Sequence, residues 1–230
     1  MLSVPSRTTA VATAPGGFEP VQIRSLFPSP LVVAALAAGE EAEVLLSALR
    51  RLILVREREV PGVVHSNDGG WQSDNYLLTW AGCEGEALVA ATARLIDGLT
   101  ARFDGAQLCR LAVDWEVTAW ANVSRIGAAN EAHHHAGGYW SAVFYVDDGG
   151  SDEVVGGAVE FLDPRGPLPM ANAPDLKMTI ENCLTAGLVE RVYPLTGMLL
   201  LFPSWLIHRV TRYAGSGVRI SIAMNFARRA

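Results

Sequence analysis

Three of the five histidines in the chain stand side by side, as His133, His134 and His135 in the stretch NEAHHHAGGYWSAVFYV. Successive side chains of a strand point to opposite faces, so a strand here would place His133 and His135 on one face and His134 on the other. Two imidazoles one pleat apart form a chelating pair for a transition metal. A third ligand must come from elsewhere, and the remaining histidines are His65 and His208. The alternative is a polar surface strand or a chance cluster.

A second polar group follows His208, in the stretch VRISIAMNF at 218–226. Arg219, Ser221 and Asn225 share one strand parity, and the residues between them are apolar. One face of this strand therefore suits a core, whereas the other carries a cation, a hydroxyl and an amide. An arginine inside a barrel must be paired, and a bidentate carboxylate is its natural partner. That carboxylate belongs either to an internal Asp or Glu or to a ligand.

The elements that must position these residues change in kind along the chain. Residues 38–56 and 84–103 carry apolar residues at helical spacing, which predicts two helices. From Cys109 onward the period falls to two, and turn clusters separate short strand-like runs at 111–123, 140–146, 157–162, 188–193, 197–202 and 218–226. This pattern is typical of an antiparallel sandwich or barrel. We predict an α+β fold in which N-terminal helices brace a β-barrel of roughly eight strands.

The chain length of 230 residues suits one domain. We expect a flexible N-terminal segment at 1–20 and a single domain at 21–230, with helices at about 38–104 and the barrel at about 109–227. No stretch reaches the ~18 apolar residues that a membrane helix needs, and none resembles a secretory signal.

The composition also limits the partners. A formal net charge of −6, without a basic cluster beyond Arg228–Arg229, argues against nucleic acid or a membrane surface. The three cysteines are widely spaced and form neither a zinc-type pair nor a disulfide framework, which suits a reducing cytoplasm. We interpret them as core residues. We predict a cytoplasmic protein.

Five motifs occur in an order that resembles a known family. They are SNDGGWQS (66–73), HHH (133–135), FLDPR (161–165), FPSWLIH (202–208) and RISIAMNF (219–226). Together they resemble the iron(II)/2-oxoglutarate-dependent oxygenases, and more closely a bacterial and phage subgroup of that superfamily. The resemblance implies a double-stranded β-helix, that is, a jelly-roll or cupin-like barrel.

The resemblance also implies roles for individual residues. His133, His135 and His208 would hold the iron, and Arg219 and Ser221 would hold the far carboxylate of 2-oxoglutarate. Weaker candidates for contacting the co-substrate are Asn122, Tyr145 and Asn225. Weaker candidates for the substrate are Arg165, Trp205 and Trp71. Trp120 and Trp140 could also line a substrate pocket, although large aromatic residues are more often core. Most members of the superfamily have a carboxylate at the position of His135.

The function that the resemblance implies is that of a non-haem iron oxygenase. It would use Fe(II), 2-oxoglutarate and O2 to hydroxylate an unidentified small molecule or residue, releasing succinate and CO2. Two alternatives are a three-histidine dioxygenase that needs no 2-oxoglutarate, and a metal-binding jelly roll that binds or senses a small molecule without turnover. Two helices beside a barrel would also offer surfaces for a homodimer.

Overall fold

A computed structural model of the protein describes residues 26–105, 107–109, 113–167, 171, 173–176 and 189–229. In chain order the elements are β1 (Val32–Ala35), α1 (Glu40–Glu59), β2 (Asn67–Asp68), β3 (Trp71–Gln72), α2 (Leu77–Trp80), α3 (Gly82–Leu99), β4 (Arg102–Asp104), β5 (Gln107–Cys109), β6 (Trp115–Ser124), β7 (Ala129–His133), β8 (Trp140–Asp147), β9 (Val159–Leu162), β10 (Val189–Val192), β11 (Met198–Pro203), β12 (His208–Val210) and β13 (Arg219–Arg228).

Two antiparallel sheets form the barrel. The major sheet has six strands in the order β1-β11-β8-β13-β6-β3, and the minor sheet has five in the order β10-β9-β12-β7-β2. Strands β4 and β5 form a separate hairpin. An apolar cluster lies between the sheets and includes Tyr145 from the major sheet, Phe161 from the minor sheet, and Phe202. The space between the sheets is therefore a packed interior at one end.

The helices cover the outer face of the major sheet. In α1 the buried residues Leu49 and Ile53 are four apart, so they lie on one face of the helix. Acidic residues fill the first turn of α1 and arginines the last, which complements the helix dipole. The helix gives way to extended backbone at Val60, because the proline that follows disfavours helical geometry there.

Strand β13 joins the helical layer to the interior, because its two faces differ in chemistry. Ile220, Ile222, Met224 and Phe226 belong to the buried cluster that contains the helices. Arg219, Ser221 and Asn225 line the cavity on the opposite face. The parity predicted for this strand is confirmed.

Several details differ from the sequence predictions. The helices span 40–59 and 82–99 rather than 38–56 and 84–103. The barrel does not begin near residue 109, because β1 pairs with β11, β2 with β7 and β3 with β6. These short N-terminal strands bring the number in the two sheets to eleven, six plus five, rather than roughly eight. These strands are too short to carry a periodic pattern that would reveal them in the sequence.

The remaining predictions about the chain ends and cysteines have mixed outcomes. The segment 1–20 and Cys183 lie outside the described residues. Cys83 is exposed, so its interpretation as a core residue was wrong, and Cys109 is half-buried. Among the helices that the structure describes, none has the length and apolarity required to cross a bilayer.

An ion triad ties together three strands of the minor sheet. Glu160 on β9 is 1% exposed and lies opposite Arg191 on β10 and Arg209 on β12. Arg191 Nε donates to its carboxylate at 2.8 Å and Arg209 Nε at 2.6 Å. Burial acts to raise the pKa of Glu160, but the hydrogen bonds from Arg191 and Arg209 outweigh burial and hold that pKa below its usual range. The triad fixes β12, the strand that begins at His208.

We expect Glu160→Gln to lower the melting temperature at pH 7 by a few degrees, because both charge-assisted hydrogen bonds weaken. A carboxyl whose pKa is depressed in the folded state adds stability above its unfolded pKa, about 4.3, and loses it as pH falls through the folded value. The difference from the wild type should therefore shrink as the pH falls below about 4. Thermal denaturation followed by circular dichroism measures it. The exposed Glu190→Gln on β10 is the control, and an equal effect of both variants would contradict a special role for the triad.

Candidate metal and co-substrate site

The structure brings His133, His135 and His208 together. His133 is the last residue of β7 and pairs directly with His208, the first residue of β12. His135 lies two residues beyond β7, and its backbone N–H donates to the Ser204 carbonyl at 2.9 Å. One ring nitrogen from each histidine can be chosen so that all three lie within 4.8 Å of one another. Three imidazole nitrogens at this spacing can face one transition-metal ion.

Hydrogen bonds orient two of the three rings. His133 Nδ1 lies 2.7 Å from the Glu131 carbonyl oxygen, and His208 Nδ1 lies 2.9 Å from that of Leu206. A carbonyl oxygen can only accept, so Nδ1 of each ring carries the proton and Nε2 keeps its lone pair. This arrangement fixes the tautomer that a metal ligand requires.

The cluster is held neutral by its surroundings. Burial lowers the pKa of His133, lowers that of His208 to about 4, and lowers that of His135 to about 3 with help from the charges of the neighbouring histidines. Neutral imidazoles can ligate a metal, whereas imidazolium cannot. The Trp120 ring packs at 62° to His135 with centroids 5.6 Å apart, and Phe202 lies 4.8 Å from His208.

A cavity of about 370 Å³ opens beside the imidazoles. The sequence-predicted residues that line it are the three clustered histidines, Asn122, Tyr145, Arg219, Ser221 and Asn225. His134 is exposed at its edge, as expected for the histidine of opposite parity, and His65 lies there also. Both sheets therefore contribute to one polar cavity.

Arg219 is the principal charge in this cavity. It is 2% exposed, and its guanidinium carbon lies 5.1 Å from the centroid of the Tyr145 ring. In the described part of the chain, no carboxylate lies within 4.0 Å of the guanidinium. The sequence left open an internal salt bridge for this arginine, and the described residues do not supply one. An unpaired buried cation is unfavourable, so the site is suited to an anionic ligand.

Other polar atoms around Arg219 also lack partners. Among the described residues, the buried polar side-chain atoms without a hydrogen bond include Arg219 Nε, Tyr145 Oη and Asn122 Oδ1. Burial raises the pKa of Tyr145 although the charge of Arg219 opposes the shift, so the hydroxyl keeps its proton. A carboxylate at this point would accept from both the guanidinium and the phenol.

Glycine at position 157 makes room for the arginine. Gly157 has φ of +80°, and a Cβ there would lie 3.4 Å from Arg219 Cδ and 2.6 Å from Ser151 Oγ. Both the left-handed backbone and the close approach favour glycine. The GG turn that precedes the FLDPR motif therefore contributes to the arginine's pocket.

Three predicted substrate residues lie outside the cavity. Arg165 is exposed and pairs with Asp163, its Nε 2.9 Å from Asp163 Oδ1. Trp71 packs against the helical core, and its Nε1–H donates to the Val60 carbonyl at 3.0 Å. Trp205 is 53% exposed in the turn before His208. None of them is among the described residues that line the cavity.

The structure also adds cavity residues that sequence reasoning missed. They are Ser66, Gln72, Asn75, Thr118, Asn130, Val143, Val159, Val210 and Ala223. The predicted pocket residue Trp120 also lines the cavity, whereas Trp140 is not among the described residues that line it. Gln72 is 4% exposed and belongs to the GWQS motif, which was the available signal for it. Thr118 shares the parity of Asn122 on β6, so parity could have identified it as well.

Residues 118–225 match the family described as "Putative 2OG-Fe(II) oxygenase". The matched range contains the three clustered histidines and Arg219. Most of the barrel therefore matches a family model of 2-oxoglutarate/iron(II) oxygenases. The predicted superfamily is confirmed, and with it an enzyme that uses iron(II), 2-oxoglutarate and O2. A search of curated protein sequences finds no match.

Solved structures share the fold. A prolyl-4-hydroxylase from Pseudomonas putida is 18% identical with a TM-score of 0.57, and the alignment covers 87% of this chain and 94% of that one. A prolyl hydroxylase from Trichoplax adhaerens, solved with a hypoxia-inducible-factor peptide, is 15% identical with a TM-score of 0.59 over 86% and 83%. HygX from Streptomyces hygroscopicus, solved with nickel and 2-oxoglutarate, is 13% identical with a TM-score of 0.54 over 87% and 83%. The predicted double-stranded β-helix is confirmed.

Replacement of any one of His133, His135 or His208 by alanine should weaken Co(II) binding at least about 100-fold. Loss of a residue that only hydrogen-bonds to a metal ligand already weakens metal binding by up to about 100-fold, and loss of the ligand itself costs more. Titration monitored by the Co(II) absorption bands gives the dissociation constants. His134→Ala is the matched control, because it removes an adjacent imidazole that does not belong to the three-histidine cluster. Equal losses in His134→Ala and His135→Ala would contradict the assignment of His135.

Proposed function

We propose that this oxygenase binds iron through His133, His135 and His208 and anchors the far carboxylate of 2-oxoglutarate on Arg219. The observation that carries the proposal is the buried, unpaired guanidinium in the same cavity as three neutral imidazoles. The bound iron supplies the activation of O2 that is coupled to decarboxylation of 2-oxoglutarate and hydroxylation of the substrate.

The donors around Arg219 suit a carboxylate. The guanidinium offers charge-assisted hydrogen bonds, and the Tyr145 hydroxyl is a neutral donor beside it. Ser221 is 3% exposed and is the register partner of Tyr145 on the neighbouring strand, so the two side chains lie side by side on the same face of the sheet. These three side chains hold one end of the co-substrate, which directs its other end toward the imidazoles.

The charge balance favours the same ligand. Three neutral imidazoles leave the full dipositive charge of the metal, and Arg219 adds one further positive charge. The dianion of 2-oxoglutarate offsets two of these three charges. The absence of a carboxylate at position 135 therefore makes an anionic co-ligand more important to this site than it would be with an acidic residue there.

A three-histidine dioxygenase without 2-oxoglutarate is the second candidate, because a neutral ligand set alone does not require a 2-oxoacid. That reaction gives no role to the unpaired guanidinium of Arg219 or to the hydroxyl groups of Tyr145 and Ser221 beside it. The non-catalytic jelly roll has the same weakness. Formation of succinate in proportion to O2 consumed distinguishes the proposed enzyme from both.

We further propose that the enzyme acts on a small molecule in the cytoplasm and not on nucleic acid, in line with its acidic charge. A homodimer through the outer face of α1 is supported by the exposed Val44 and Val55 on that helix.

Arg219→Ala should raise the dissociation constant for 2-oxoglutarate at least about 30-fold, since the ligand loses a buried charge-assisted partner. Metal affinity should stay within about threefold, because Arg219 is not among the imidazole cluster. Isothermal titration of Mn(II) into oxygen-free apoprotein measures the metal affinity, and titration of 2-oxoglutarate into the Mn(II)-loaded protein measures the co-substrate affinity. Arg229→Ala, which removes an exposed arginine near the C-terminus, is the control. An unchanged affinity for 2-oxoglutarate in Arg219→Ala would overturn the proposal.

A further inference from the structure

On the cavity face of the major sheet, residues that pair across neighbouring strands form successive rows, here called rungs. Ser221 on β13 pairs with Asn122 on one side and Tyr145 on the other. The next cavity-facing rung is Ala223, between Trp120 and Val143. The rung after that is Asn225, between Thr118 and Ser141. Polar groups thus occupy two separate rungs, with a smaller, mainly apolar rung between them.

The spacing of these rungs separates Asn225 from the co-substrate anchor. Ser221 is the anchor residue nearest to Asn225, and the four residue steps from Ser221 to Asn225 correspond to roughly 13 Å along β13. A five-carbon diacid spans on the order of 7 Å between its carboxyl groups. A molecule anchored at Arg219, Ser221 and Tyr145 therefore reaches the Ala223 rung, where a small side chain leaves room, and ends short of Asn225.

The amide of Asn225 is oriented by a buried relay. Ser204 Oγ lies 2.9 Å from Ser141 Oγ, and Ser141 Oγ donates to Asn225 Oδ1 at 2.7 Å. Ser141 and Ser204 are 1% and 0% exposed. Because Oδ1 accepts from Ser141, the Nδ2 amino group is left as the donor of this cavity-lining residue.

The same relay connects Asn225 to the imidazole cluster. The Ser204 carbonyl accepts the backbone N–H of His135 at 2.9 Å. Gly138 packs so closely on Ser204 that a Cβ would lie 2.5 Å from its Oγ, which restricts movement of the serine. The position of the Asn225 amide is therefore fixed relative to the loop that carries His135.

The Asn225 end of the cavity is uncharged. Among the described cavity residues, Arg219 is the permanently charged one, and it lies at the other end. The residues beside Asn225 are its register partners Thr118 and Ser141, and the Trp120 ring belongs to the neighbouring rung. Binding a carboxylate or an ammonium group there would remove its hydration without supplying a counter-charge.

We infer that Asn225, with Thr118 beside it, binds a neutral oxygen acceptor of the substrate, an amide or hydroxyl oxygen near the carbon that is oxidised, and does not hold 2-oxoglutarate. This inference rests on the proposed function, because it assigns the Arg219 end to the co-substrate. It makes Asn225 a determinant of substrate specificity, positioned by Ser141 and Ser204.

The test uses small probes on Mn(II)-loaded protein saturated with 2-oxoglutarate. N-methylacetamide, acetate and methylammonium are compared by the paramagnetic relaxation of their methyl protons. The neutral amide should show the largest enhancement. Asn225→Ala should reduce that enhancement about fivefold, the cost of one hydrogen bond. Ser141→Ala, which frees the amide without removing it, should give an intermediate loss.

The matched control is Asn122→Ala, which removes an amide from the same face at the co-substrate end. It should weaken 2-oxoglutarate binding and leave N-methylacetamide relaxation unchanged, whereas Asn225→Ala should leave the 2-oxoglutarate dissociation constant within about twofold. Equal relaxation of the charged probes, an unchanged amide signal in Asn225→Ala, or a loss of 2-oxoglutarate affinity in that variant would overturn the inference. If wild-type protein fails to bind 2-oxoglutarate, the proposed function fails instead, and the probe comparison without it still decides the preference for neutral groups.

Discussion

The buried guanidinium of Arg219 is the constraint on which the site depends. It lies inside the barrel without a carboxylate partner among the described residues, and its Nε makes no hydrogen bond. Such a group destabilises the folded protein unless a ligand completes it. The fold accommodates it by a glycine at position 157, by the Tyr145 ring, and by a strand whose other face packs firmly against the helices.

Strand β13 determines where the polar residues of the active site lie relative to Arg219. Its apolar parity anchors it to α1 and α3, while its polar parity presents a cation, a hydroxyl and an amide along one wall. The opposite wall supplies His133 and His208 as register partners on adjacent strands. The Arg191–Glu160–Arg209 triad supports that wall from outside. The cavity between the two sheets thus has a cationic end at Arg219 and a neutral end at Asn225, and the three imidazoles line the same cavity.

Much of this could be predicted from residues whose positions follow a strict period. The parity of 219–226 identified both faces of β13, and the spacing of His133 and His135 identified the converging pair although His135 lies just beyond the strand. The short strands β1–β3 escaped prediction because two to four residues carry no periodic signal. Arg165, Trp71 and Trp205 were chosen by residue type, and type alone does not say which side of a barrel wall a side chain occupies. The Ser204–Ser141–Asn225 relay depends on strand register that the sequence does not state, because the hydrogen-bonded residues Ser141 and Asn225 lie 84 positions apart in the chain.

A crystal structure of the protein grown without oxygen in the presence of iron(II) and 2-oxoglutarate tests the central claim most directly. The account predicts one metal ion bonded by Nε2 of His133 and His208 and by the His135 imidazole, with the far carboxylate of 2-oxoglutarate on Arg219 and the Tyr145 hydroxyl. A metal ion without His135, or 2-oxoglutarate bound away from Arg219, would contradict it.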